Sequence, residues 1–149
     1  MAGPTLIDVH MHITPTREEG LREKAEYVIW EYGEKTDVHF SHYGGNLDDA
    51  LEAIDNAGFS KAVVVNLFGL SSVRQEIASE VGEEAGPHER ARLIESAVAQ
   101  KLKEYNIWAC ELAQPHPQLV PYIFVDSAVL LGEAGPDHVR DMVENYGAR

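Results

Sequence analysis

"LIDVHMHITPT", residues 6–16, decides the reading of this chain. Two histidines stand two apart behind an aspartate, inside a run otherwise made of Leu, Ile, Val and Met. In a strand, side chains alternate between faces, so Asp8, His10 and His12 are expected on one face. Ile7, Val9, Met11 and Ile13 are expected on the other, packed against helices. The polar face needs partners, because buried polar groups without them are costly. A divalent metal provides one, since neutral imidazole is a standard zinc ligand. The competing reading is two satisfied histidines near a strand end.

Two further short apolar runs share the Val and Ile enrichment of strands, "KAVVVNLF" (61–68) and "VPYIFVDSAV" (120–129). With "TLIDVHMHI" (5–13) they alternate with stretches of helical period. Leu47, Ala50, Leu51 and Ile54 form one stripe, opened by Asn46 as N-cap with Asp49 three residues on. Ile94, Ala97, Val98, Leu102 and Tyr105 form a second stripe. Val139, Met142, Val143 and Tyr146 form a third, with Pro136 near its start and Gly147 past its end. Strands alternating with helices imply an α/β chain built from about three βα units on a parallel sheet.

After the first strand the chain makes an excursion, Thr14 to Gly45. It carries its own helix (Leu21, Ala25, Val28, Ile29, Tyr32) and an aromatic loop, "DVHFSHYGG". The tract "SEVGEEAGPHER" (79–90) reads as a loop before the second stripe.

The formal charge of -13 disfavours any partner held through phosphates, so nucleic acid is not expected. Cys110 is the only cysteine, which excludes an intramolecular disulfide and a cysteine-built zinc site. With no apolar run long enough to span a bilayer, the expectation is a cytoplasmic protein that does not engage a membrane.

The segment "IDVHMHI" resembles the first-strand signature of the amidohydrolase superfamily, metal-dependent enzymes on a (β/α)₈ barrel. "LDDALEAIDNAGFSKAVVVNL" is similar to the first helix and second strand of its amidohydrolase-related group, which includes aminocarboxymuconate-semialdehyde decarboxylase-type enzymes. "NIWACELAQPHPQLVPYIFVD" is similar to that group's helix, proline-bearing loop and third strand. The resemblance implies His10 and His12 as ligands of a divalent metal, Zn²⁺ being the expected ion. It also implies a small polar or carboxylated substrate, hydrolysed or decarboxylated. A (β/α)₈ barrel takes ~250 residues, and these 149 are expected to form its N-terminal part as one domain. The resemblance places the remaining metal-site histidines and the catalytic aspartate on later strands, so the catalytic residues are not identified here.

Asn66 and Asp126 fall near the C-terminal ends of the second and third strands, where barrel active sites assemble. They read either as substrate contacts and support for the ligands or as loop-capping groups. Asp8 reads as support for an imidazole or as a structural hydrogen bond. His39 and His42 read as loop histidines, and His88, His116 and His138 need no function. Trp30 and Trp108 are expected in the core, and Cys110 as an inert packed thiol. Two rivals remain. One is a phosphoesterase or nuclease of histidinol-phosphatase-like or TatD-like type, the other a non-enzymatic binding or assembly module. Sheet edges left by an unclosed barrel imply self-association.

Overall fold

The computed structural model describes residues 5–33, 41–82 and 86–149. Elements follow in the order β1 (Ile7–Met11), α1 (Arg17–Tyr32), α2 (Leu47–Ala57), β2 (Lys61–Val65), α3 (Leu70–Glu80), α4 (Pro87–Ala113), β3 (Leu119–Tyr122) and α5 (Ala134–Asn145). The fold is mixed α/β, with a three-stranded parallel sheet in the order β1-β2-β3 and five helices among the described residues. The chain divides into two compact units, Met1–Asn66 with Pro117–Val120, and Leu67–His116 with Pro121–Arg149.

In the first unit, β2 behaves as its sequence dictates. Ala62 and Val64 are buried on one face, while Val63 and Val65 on the other are only half-covered. The Ala62 amide donates to Gln118 O at 2.8 Å, which ties β2 to the start of β3. Strand β1 departs from simple alternation. Asp8 pairs with Ala62 and Met11 with Val64, so β1 spends three residue steps where β2 spends two. The extra residue is a bulge. It breaks the expected apolar face: Ile13 is buried and Met11 half-buried, but Val9 is 72% exposed and Ile7 is also exposed.

Helix α1 opens with a capping box. Thr16 Oγ1 accepts from Glu19 N–H at 3.1 Å, and Glu19 Oε2 accepts from Thr16 N–H at 3.1 Å. Its expected apolar stripe is not buried; Leu21 and Ile29 are exposed, and Trp30, expected in the core, is 78% exposed. The helix instead docks through Gly20, where a Cβ would stand 1.7 Å from Gly44 O. Asp49 holds the same loop, accepting from Gly44 N–H at 2.5 Å and from Arg17 Nη1 at 3.0 Å. Helix α2 buries Ala50 and Ile54 as its stripe implies and ends at Gly58, φ 73°, whose left-handed conformation suits glycine. Asn46 is the N-cap by position, yet its side chain makes no capping bond.

In the second unit, α3 and α4 close a core of Phe68, Ile77, Ile94, Val98, Leu102, Val129 and Leu130. Arg74 clamps Glu95 with two bonds of 2.8 and 3.0 Å, and Arg90 donates to the carbonyls of Ala78 in α3 and of Val81 just past its end. Helix α3 was not expected, although Leu70, Val73 and Ile77 carry its period. The supposed loop 79–90 is correspondingly shorter, since Ser79 and Glu80 end α3 and Pro87 opens α4.

Strand β3 is also shorter than expected. Beyond Tyr122 the backbone of Phe124 is taken up by the Asn106 side chain, and the Asp126 carbonyl accepts from Val129 and Leu130 N–H to make a turn. Helix α5 buries Gly135, His138 and Met142; of the expected stripe Met142 lies inward and Tyr146 is half-buried, while Val139 and Val143 are exposed.

Candidate functional site

The bulge aims the two histidines. Asp8 Oδ1 accepts from the His10 backbone N–H at 3.0 Å, a local bond that turns the chain at the extra residue. Beyond it, His10 Nε2 and His12 Nε2 lie 3.0 Å apart, with ring centroids at 4.7 Å and planes at 80°. Both residues are exposed. Asp8 thus spends a carboxylate oxygen on backbone and shapes the strand that carries the pair.

The backbone carbonyl of Val65 on β2 faces the His12 ring and favours its protonated form. Burial holds His12 below the usual imidazole range; the Val65 carbonyl opposes this and the neighbouring His10 adds to it. His12 is therefore neutral at pH 7, the form a metal requires.

Asn66 sits directly after Val65 and is 4% exposed. Its Oδ1 accepts from the Ile13 N–H at 2.8 Å, which pins the residue following His12. Its Nδ2 is buried with no partner among the described residues. That atom is a donor and cannot ligate a cation, so Asn66 supports the strand end without adding to the donor set.

Asp126 belongs to the second unit. Its Oδ1 accepts from Ala128 N–H at 2.7 Å, the loop-capping role considered for it. His42 stacks on Tyr43 at 4.2 Å, and its carbonyl accepts from Arg17. His39 lies outside the described residues. Cys110 is buried in α4 and its thiol is pushed up to about 11 by burial, which leaves it inert. Among the described residues no group of three or more His, Cys, Asp or Glu comes together to hold a metal. The imidazole pair brings two nitrogen donors together. The open hollow of about 470 Å³ in the first unit, lined by Leu51, Glu52, Ile54, Asp55, Phe59 and Gln118, contains neither histidine.

Sequence reasoning missed one polar cluster, the buried pair Asn106 and His138 in the second unit. The signal was present: Asn106 occupies the next position of the stripe Ile94, Val98, Leu102, where another apolar side chain belongs. No described helix is long and apolar enough to cross a membrane. The chain matches no family model, no curated protein and no solved structure.

Proposed function

We propose that the chain is the N-terminal part of a metal-dependent, amidohydrolase-like barrel enzyme in which His10 and His12 are ligands of one divalent ion. The observation that carries this reading is the convergence of two Nε2 atoms at 3.0 Å. Two nitrogens bound tetrahedrally to zinc at 2.0–2.1 Å stand ~3.3 Å apart, so a small opening of the pair admits the ion. The Val65 carbonyl faces His12 where a metal-bound imidazole takes its second partner. Three parallel strands in sequential order, with helices between them, fit a barrel's first βα units.

A metal bound there would supply an activated water or a Lewis acid for hydrolysis or decarboxylation of a small polar or carboxylated substrate. The chain's own contribution is to hold two imidazoles close together, with the strand end that carries His12 pinned through Asn66. A single buried, free cysteine suits a reducing, cytoplasmic setting. A second reading, a non-enzymatic binding module, draws on the donor count, because only two ligands converge among the described residues.

Zinc titration by calorimetry tests the proposal. The native chain is expected to bind one ion, and His10→Ala and His12→Ala to lose that binding. Equal binding by all three would remove the site.

A further inference from the structure

We propose that Asn106 and His138 form an acid-released latch on the backbone at Phe124, independent of the metal reading. Asn106, on α4, is 1% exposed and uses its whole amide. Its Oδ1 accepts from Phe124 N–H at 2.9 Å, and its Nδ2 donates to Phe124 C=O at 2.8 Å. The side chain thus replaces the neighbouring strand that Phe124 lacks beyond β3. The second hydrogen on Nδ2 goes to His138 Nε2 on α5, 2.9 Å away. His138 is 6% exposed, and its Nε2 must accept, which places the ring proton on Nδ1.

Protonation turns Nε2 into a donor facing a donor. A half-turn of the Asn106 amide would offer oxygen to His138, but it would set NH₂ against Phe124 N–H and oxygen against Phe124 C=O. No amide orientation satisfies both partners once His138 is charged. The segment from Ile123 to Asp126 is then the element that yields, since Phe124 has left the strand and packs by its ring against Phe68, centroids 6.3 Å apart.

The groups facing His138 set the threshold. Burial disfavours the cation most, Lys103 on α4 disfavours it further, and Asp141 on α5 favours it, so the ring lies below its ordinary 6.5. A base depressed in the folded state is fully stabilising above the unfolded value. That stability is lost as pH falls from 6.5 towards the folded value. The latch is closed at neutral pH and opens in that acidic window.

Nuclear magnetic resonance of the whole chain tests it, from about pH 8 to about pH 5. His138 is expected as the Nδ1–H tautomer at the upper end. In the acid window the protection of the Phe124 amide is expected to fall by up to about tenfold per pH unit. The Ala62 amide, bonded to Gln118 O in the other unit, is expected to keep its protection, which separates the latch from global unfolding. In His138→Gln, Oε1 accepts from Asn106 at any pH, so Phe124 should stay protected throughout. An Nε2–H tautomer, a Phe124 protection indifferent to His138 titration, or the same acid loss in the glutamine variant would overturn the proposal. If that variant does not fold, the tautomer and the two native amides decide.

Discussion

His10 Nε2 and His12 Nε2 meet at 3.0 Å, and the Val65 carbonyl faces the His12 ring. A cation held by two points loses most of its affinity when either is removed. Losses in zinc affinity should therefore be non-additive, with His10→Ala alone costing nearly as much as the double alanine variant. Calorimetric titration of the three variants checks this. A double variant that loses roughly the sum of two modest single losses would mean the rings do not share an ion.

Asn66 connects the site to the sheet. Replacing it by alanine strips a partner from the Ile13 N–H, whose residue is 1% exposed. An orphaned buried donor costs about 1–3 kcal/mol. The buried Nδ2 of Asn66 is already without a partner, and its removal returns part of that cost. The urea midpoint of Asn66→Ala should fall by the equivalent of about 1–2 kcal/mol. An unchanged midpoint would show that the Ile13 bond is not made in solution.

Gly20 sets helix propensity against packing. Alanine in a helix interior is favoured over glycine by ~1 kcal/mol, yet a Cβ at Gly20 would sit 1.7 Å from Gly44 O and 2.6 Å from Thr14 Oγ1. Backbone cannot move aside as a flexible side chain can, and overpacking costs about 1–3 kcal/mol. Gly20→Ala is expected to destabilise. At Gly82 a Cβ meets nothing within 4 Å, so Gly82→Ala should be neutral within about 0.5 kcal/mol. Thermal melts of the two variants check the contrast.

The legible parts of this sequence are those set by local pattern. The stripes of α2 and α4 and the three strands arise from spacing alone, and Ala50, Ile54, Val98 and Leu102 are buried where that spacing puts them. His10 and His12 come together across a bulge, so plain alternation does not account for their contact. What escaped was decided by single polar bonds. The Asp8 bond to His10 N–H inserts a bulge that alternation cannot anticipate. The Asn106 amide ends β3 by capturing Phe124 from a helix, and His138 is buried because Asn106 gives it a partner. Trp30 shows the opposite failure, an apolar residue at helical spacing on a helix that docks through Gly20 and an acidic loop anchor.

Val9 and Val64 separate the two readings of β1 directly. Alternation places Val9 between sheet and helices, where an aspartate would prevent folding. With Val9 72% exposed, Val9→Asp is expected to fold, losing no more than ~1 kcal/mol of strand preference. Val64, 1% exposed at the centre of β2, has no such outlet, and Val64→Asp should abolish the folded state. Dispersed amide resonances for the first variant and their collapse for the second are the expected pair of results.

Among the described residues β1 is an outer strand of the sheet, and Leu6, Ile7 and Val9 are exposed along it. Exposed edges with apolar side chains invite pairing with another chain, so self-association is expected at micromolar concentration. The formal charge of -13 opposes it, but repulsion between surface charges is screened beyond ~8 Å at physiological salt, and a close apolar contact is not. Val9→Lys distinguishes the two forces, because they pull in opposite directions. It makes the chain less negative, which would strengthen association if charge repulsion set the balance. It also places a cation on the strand edge, which weakens edge pairing. Light scattering is expected to show the lysine variant associating at least about tenfold more weakly than the native chain, a shift of about 1.4 kcal/mol. A native chain that stays monodisperse and monomeric, or a lysine variant that associates more tightly, would remove β1 as the contact.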